Sequence, residues 1–66
     1  MKARFWNEWD FQFRCYVVYE DNQPCRFFDS VSRAIVYTQA RNEGATHQVA
    51  NTRARTARQA ADAGEL

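Results

Sequence analysis

Residues 11–19, FQFRCYVVY, alternate between two sets of side chains, and this run constrains the fold more than any other feature of the chain. Aromatic and β-branched residues with a period of two are typical of a β-strand. The next five residues, EDNQP, supply turn chemistry, and CRFF at 25–28 resumes the extended pattern. The sequence therefore predicts a β-hairpin in the first half of the chain.

The alternation separates the first strand of this hairpin into two faces. One face carries Phe11, Phe13, Cys15, Val17 and Tyr19. The other face carries Gln12, Arg14, Tyr16 and Val18. We expect a helix to cover the first face, because Phe27 of the second strand can join its larger apolar set.

Two registers are open for the hairpin. A two-residue turn at 21–22 would set Val17 opposite Arg26. A three-residue turn at 21–23 would instead set Val17 opposite Phe27. We favour the second register, because it gathers both apolar sets on one face and a buried face fixes the pairing.

The two cysteines are expected to be inert thiols. Neither register makes Cys15 and Cys25 partners, so a disulfide is not predicted. There is no CxxC sequence, and the only histidine, His47, lies far along the chain, so no metal site is predicted.

Residues 29–44, DSVSRAIVYTQARNEG, predict an α-helix. Ser30 is a good N-cap, with Asp29 as the rival, and Gly44 is a good stop. The stripe at helical spacing that should face the hairpin consists of Val31, Ala34, Ile35 and Thr38, with Tyr37 at its margin. A small apolar patch on the opposite side consists of Val36 and Ala40.

The two ends of the chain are harder to assign. Residues 45–51, ATHQVAN, predict a third strand, after which Thr52 can cap a final segment. That segment is either a helix with a narrow alanine stripe or a tail that orders on a partner. At the other end, Phe5, Trp6 and Trp9 fit either a short amphipathic helical turn or an edge strand over residues 3–6.

The order of elements predicts an α+β fold with the arrangement ββαβα. A small antiparallel sheet of three strands, with an optional fourth at the N-terminus, packs on one helix, and a C-terminal helix follows. We interpret the chain as one small domain with three parts: an aromatic N-terminal segment at 1–10, a ββαβ core at 11–51 and an Arg/Ala-rich tail at 52–66.

Composition makes most enzyme classes improbable. The chain has only two glycines, so it lacks a phosphate-cradling loop, and no nucleophile with a partnering base stands out. No catalytic, metal or cofactor site is predicted. No apolar run approaches the ~20 residues that span a bilayer, and Met1–Arg4 do not lead into a signal peptide. The expected location is therefore the cytoplasm.

Charge bears on the kind of partner. The net charge is +1, and nucleic-acid-binding proteins usually carry a clear cationic excess. Eight of the nine cations are arginine, however, and the guanidinium group suits carboxylates, phosphates and aromatic faces alike.

The sheet side that the helix leaves uncovered is the first candidate surface. In the favoured arrangement it carries Arg14, Tyr16, Val18, Arg26 and Phe28, and Trp6 and Trp9 can join it. Aromatic and arginine side chains are typical of protein interface hot spots, and they also stack on unpaired bases. The alternative is that the N-terminal rings or the tail helix seal this side.

The tail is the second candidate surface. Arg53, Arg55 and Arg58 could contact phosphates or an acidic protein surface, or could form a solvated helix face.

The predicted order is a short hairpin, a Ser30-capped helix with Ala34 and Ile35 facing the sheet, Gly44 and a third strand. This order resembles that of the short phage-encoded inhibitors of host RNA polymerase. The resemblance covers about residues 11–52 and is architectural, so it assigns no functional residue. It implies an accessory protein of phage or mobile-element type that acts by docking on a host enzyme without catalysis.

These observations favour a non-enzymatic module that modulates a larger host or cognate protein through an aromatic and arginine surface. The alternative is a nucleic-acid-binding protein that uses the sheet face and the arginine-rich tail. A homodimer that buries the aromatic face is a third interpretation.

Overall fold

A computed structural model describes the backbone of residues 4–65 and the side chains of residues 4–57. The elements in chain order are β1 (Phe5–Asp10), β2 (Cys15–Glu20), β3 (Gln23–Phe28), α1 (Val31–Asn42) and α2 (His47–Glu65). The strands form one antiparallel sheet in the order β1-β2-β3. Helix α1 packs against all three strands, and α2 packs against α1. The predicted α+β fold with a three-stranded antiparallel sheet is therefore confirmed.

The prediction of a strand at 45–51 is wrong, because α2 begins at His47. Thr46 caps the helix: its hydroxyl oxygen accepts a hydrogen bond from the Val49 amide at 3.3 Å. Thr52, the expected cap, lies inside α2 and donates to the Gln48 carbonyl at 3.0 Å. The third strand is instead β1 at the N-terminus, which occupies the edge of the sheet beside β2.

The hairpin between β2 and β3 combines the turn of one predicted register with the pairing of the other. Asp21 and Asn22 form a two-residue turn, and both have positive φ values, 51° and 74°. A bulge at Cys25 then shifts the ladder by one residue, so that Val17 pairs with Phe27. The apolar residues thus meet as expected, although the turn has two residues and not three.

The helices cover the opposite face of the sheet from the one predicted. The buried core consists of Phe5, Val18, Phe28, Ala34, Tyr37, Ala40, Ala50 and Ala54, with Tyr16 packed against it. The expected core residues Phe11 and Phe13 lie on the β1–β2 loop and are exposed. Helices on the other face would have to bury the carboxylates of Glu8 and Asp10, and burying unpaired charges is strongly unfavourable.

Helix α1 begins and ends as predicted, but the side of the helix that is buried differs from the predicted one. The Ser30 hydroxyl oxygen accepts a hydrogen bond from the Arg33 amide, and the chain leaves the helix at Gly44 with a φ of 105°. The predicted members Val31 and Ile35 are exposed. The side chains that α1 buries are Ala34, Tyr37, Thr38 and Ala40. Ala40 is buried because α2 adds Ala50 and Ala54 to the same core.

Candidate functional site

The loop that joins β1 to β2, residues 11–14, is held in one conformation by Asp10. The Asp10 carboxylate accepts hydrogen bonds from the backbone amides of Gln12 at 2.8 Å and Phe13 at 3.0 Å. The Asp10 carbonyl accepts a further bond from the Arg14 amide at 2.8 Å, and Arg14 has a φ of 54°. Such a side-chain-to-backbone network fixes a short loop without a hydrophobic core beneath it.

This loop presents aromatic rings to solvent. Phe11 is 86% exposed and Phe13 is 66% exposed, and two strand residues beside them, Trp9 and Phe27, are 40% and 51% exposed. We call these four residues the aromatic tip. Trp9 belongs to the helix-covered face of the sheet and Phe27 to the opposite, open face, so the loop lies between them. Exposed apolar side chains gathered at one end of a molecule mark an interaction site more often than a core feature.

Edge-to-face contacts order the rings of the aromatic tip. Trp9 contacts Phe11 with ring centroids 6.4 Å apart, and it contacts the half-buried Tyr16 at 4.9 Å. Phe13 contacts Phe27 at 5.8 Å with the ring planes 80° apart. Because each ring is braced by a neighbour, part of its surface stays exposed while its position is constrained.

The open sheet face, the one without helices, is aromatic and acidic. Trp6 stacks on Tyr19 with centroids 4.2 Å apart. Val17 is only 2% exposed on this face, although no helix covers it. Desolvation raises the pKa of Tyr19, and the negative charges of Glu8 and Asp10 raise this pKa further. An anionic ligand would therefore meet repulsion on this face.

A second concave surface lies where β3, α1 and α2 meet, and we call it the arginine cleft. Its volume is about 370 Å³, and it is lined by Arg26, Phe27, Phe28, Asp29, Arg33, Asn51 and Arg55. Arg26 donates a hydrogen bond to the side-chain oxygen of Asn51, and its guanidinium lies 5.1 Å from the centroid of the Phe28 ring. Arg33 and Asp29 form an ion pair at 3.6 Å.

The structure separates the residues of the first predicted surface. Val18 and Phe28 are buried under the helices, and Tyr16 is half-buried beside them, so the expectation of an open face there is wrong. Arg26 lies in the arginine cleft, and Arg14 is exposed on the loop of the aromatic tip.

The remaining predicted site residues lie in several places. Trp6 is half-buried on the open sheet face, and Trp9 belongs to the aromatic tip. Arg53 pairs with Glu43 at 3.7 Å on the surface, whereas Arg55 lines the arginine cleft. The side chain of Arg58 lies outside the described residues.

Sequence reasoning missed the exposure of Phe11 and Phe13, which it assigned to a strand. The available signal was Asp10, a residue that favours turns, directly before the run. Since aromatic residues and period-two alternation both indicate a strand, this single turn residue was outweighed.

The histidine makes a local contact. The Tyr37 hydroxyl lies 2.7 Å from His47 Nδ1, and the two rings meet edge to face. Cys25 is exposed, but partial desolvation raises the pKa of its thiol, which lowers the thiolate fraction at neutral pH. Among the side chains of residues 4–57, no three His, Cys, Asp or Glu residues gather as a metal ion requires. Within the described part of the chain, neither helix is long and apolar enough to cross a membrane.

The comparisons with known proteins do not assign this chain to a family, so the functional proposal rests on the geometry of the surfaces described above. No protein-family model, curated protein or solved structure matches this chain.

Proposed function

We propose that this chain is a non-enzymatic binding module that docks on a larger protein through its aromatic tip. The observation that carries the proposal is the loop at 11–14, in which hydrogen bonds to Asp10 hold Phe11 and Phe13 exposed. Modulation of a host or cognate enzyme is one form that such docking takes, as the architectural resemblance to phage-encoded inhibitors of host RNA polymerase implies. The segment that was to supply the third strand of that resemblance forms α2.

The rigidity of the loop supports binding with a small entropic cost. Ordering a loop and its side chains on association costs roughly 0.5–1.5 kcal/mol for each immobilised side chain. A loop that is already held by Asp10 avoids much of that cost, and exposed aromatic rings supply the contact area of interface hot spots.

Two carboxylates and one guanidinium group, that of Arg14 on the loop, lie next to the aromatic tip, and their net negative charge supports a partner with a basic and apolar contact surface. Glu8 and Asp10 lie on the open sheet face, on the same strand as Trp9. Complementary charge raises the association rate and aligns the partner, and the same carboxylates repel the phosphates of nucleic acid. We therefore favour a protein partner over nucleic acid at this site.

Affinity capture followed by titration of the recovered partner tests the proposal. We expect Phe11→Ser/Phe13→Ser to bind the partner about 100-fold more weakly than wild type, because two hot-spot side chains are lost. The matched control is Ile35→Ser/Val49→Ser, which removes two apolar side chains exposed on the helices. This control should bind within about twofold of wild type.

Two outcomes would contradict the proposal. Equal weakening by the tip variant and the helix control would mean that the aromatic tip is not the docking surface. A dimer mass for wild type in light scattering, lost in the Phe11→Ser/Phe13→Ser variant, would assign the tip to a second copy of this chain.

A further inference from the structure

Three arginines from three different elements line the arginine cleft. Arg26 is on β3, Arg33 is in the first turn of α1 and Arg55 is on α2. Asp29 is the only acidic residue in the described lining, so the cleft has a formal excess of two positive charges. A cleft lined by an excess of one sign of charge attracts a ligand of the opposite sign.

The contacts of Arg26 and Arg33 position these two side chains without fully neutralising their charge. Arg26 is fixed by the neutral amide of Asn51 and by the Phe28 ring. The Nε atoms of Arg26 and Arg33 are buried and have no hydrogen-bond acceptor among the described residues. Arg33 and Asp29 form an ion pair at 3.6 Å that is partly exposed to solvent, and the attraction in such pairs is weak.

Arg55 is the least constrained of the three. It is exposed, and it makes no hydrogen bond or ion pair with any residue whose side chain the structure describes. The neighbouring arginine on the same helix, Arg53, faces elsewhere and pairs with Glu43. Helix α2 thus directs one arginine to the cleft and the other to a carboxylate.

The geometry points to a phosphate monoester as the ligand of the arginine cleft. A monoester carries about −1.5 to −2 charges at neutral pH, which matches the excess charge of the lining. A planar carboxylate is satisfied by one arginine fork, whereas a tetrahedral phosphate presents oxygens to arginines from several directions. The volume of about 370 Å³ lies within the range of small-molecule sites and leaves room for an organic group on the phosphate.

The arginine cleft adjoins the aromatic tip and shares one residue with it, Phe27, but Phe11 and Phe13 do not line the cleft. Arg26, Arg33 and Arg55 are not part of the aromatic tip, and docking by the tip does not require that the cleft be filled. The experiment below therefore fails or succeeds independently of the capture experiment with the tip variant.

Nitrogen-15 NMR titration of the full chain tests the inference with inorganic phosphate and with adenosine 5′-monophosphate. We expect saturable shifts of the signals of Arg26, Arg33 and Arg55 with both probes, and none with chloride at the same ionic strength. Tighter binding of the nucleotide would identify an ester as the natural ligand, and equal binding would identify the phosphate group alone. Absence of saturable shifts would overturn the inference.

Variants on one helix provide the matched comparison. Arg55→Gln should weaken phosphate binding about tenfold or more, because a charge-assisted hydrogen bond is lost, whereas Arg53→Gln should change it less than about twofold. Equal weakening by these two variants would show that only the general positive charge of α2 matters, and would overturn the inference.

Asn51→Asp separates loss of binding from loss of folding. The new carboxylate would pair with Arg26 and occupy the cleft, so phosphate binding should be abolished while the melting temperature stays the same or rises. Retained phosphate binding in this variant would contradict the site. A decathymidylate without a terminal phosphate serves as a further probe; if it bound as tightly as the nucleotide, the cleft would be a nucleic-acid site and not a monoester site.

Discussion

At the scale of single residues, asparagine side chains connect the sheet to the helices. The Asn42 amide accepts a hydrogen bond from the Phe5 nitrogen at 3.0 Å and donates one to the Phe5 carbonyl at 2.9 Å. The Asn42 side chain thereby supplies the hydrogen bonds that a neighbouring strand would supply at the outer edge of β1. Asn7 donates to the Thr38 hydroxyl at 3.0 Å, and that hydroxyl donates to the Ala34 carbonyl. These bonds attach β1 to α1 and so help to select the covered face.

We expect Asn42→Ala to lower the free energy of unfolding by about 2 kcal/mol, because two partly buried backbone groups of Phe5 lose their partner. Urea unfolding followed by tryptophan fluorescence measures the change. Glu43→Ala, at the next and exposed position, is the control and should change stability by less than about 0.5 kcal/mol. Equal effects of the two substitutions would contradict the role of Asn42.

We expect the free energy of unfolding to fall as the pH rises above about 9. Burial is the main reason that the pKa of Tyr37 lies above its ordinary value of 10.0, and partial desolvation is the main reason that the pKa of the more exposed Cys25 lies above 9.0. The unfolded chain therefore loses these protons first, so stability is full below the ordinary pKa values and is lost as the pH rises through the raised ones.

Urea titrations at about pH 8 and about pH 10.5 test this dependence. Tyr37→Phe removes one titrating group, so its stability should fall less than that of wild type over the same range. The prediction fails if the unfolding free energy of wild type is the same at both pH values.

At the scale of elements, the helices contribute mainly small residues to the core, and the large side chains come from the sheet and from Tyr37 of α1. Ala34 and Ala40 of α1 and Ala50 and Ala54 of α2 are almost fully buried. Small side chains allow the two helices to approach one another closely, so that large side chains such as Phe28 and Tyr37 fill the space between α1 and the sheet.

The sequence predicts that Ala34 and Ile35 both face the sheet, whereas the structure buries Ala34 and exposes Ile35. A substitution at each position tests this difference. Ala34→Leu should destabilise the fold by about 2 kcal/mol, because the added atoms have no space in the core. Ile35→Gln should change stability by less than about 0.5 kcal/mol, because Ile35 is exposed. Thermal unfolding by circular dichroism measures both, and the opposite order would mean that α1 is rotated.

At the scale of the whole molecule, the fold is one layer of helices on one layer of sheet. The smallest dimension of the Cα trace, 14 Å, fits two layers and no more. The two layers also separate the charges: Glu8 and Asp10 lie on the open sheet face, whereas Arg26, Arg33 and Arg55 gather at the junction with the helices. A molecule with a net charge of only +1 thus offers one acidic and one basic surface.

The aromatic tip should contribute little to the stability of the free protein. We expect Phe11→Ser/Phe13→Ser to change the free energy of unfolding by less than about 1 kcal/mol, because both rings are mostly exposed. Val18→Ala, in the core, should cost about 2 kcal/mol in the same urea titration. A larger loss in the tip variant than in Val18→Ala would mean that the tip rings are structural.

Particular residues show how far the sequence predicts the site. Ser30 and Gly44 bound α1 as expected, because capping and chain reversal depend on local chemistry. Arg26 and Arg55 were separately recognised as candidate contacts, yet they belong to one cleft with Arg33. Only the packing of α2 on α1 brings them together, and no local pattern reports which helix faces meet.

The sequence by itself determined the hairpin, the capped helix and the α+β class, because alternation, turn residues and caps act over a few neighbouring positions. The tertiary structure decided which face of β2 is covered. Both faces of that strand are apolar, so its own pattern leaves the choice open. The choice depends on β1, whose Phe5 and Asn7 meet the helices. On its other face Glu8 stays exposed and the Asp10 carboxylate accepts amide hydrogen bonds from the loop, so neither carboxylate is buried beneath a helix.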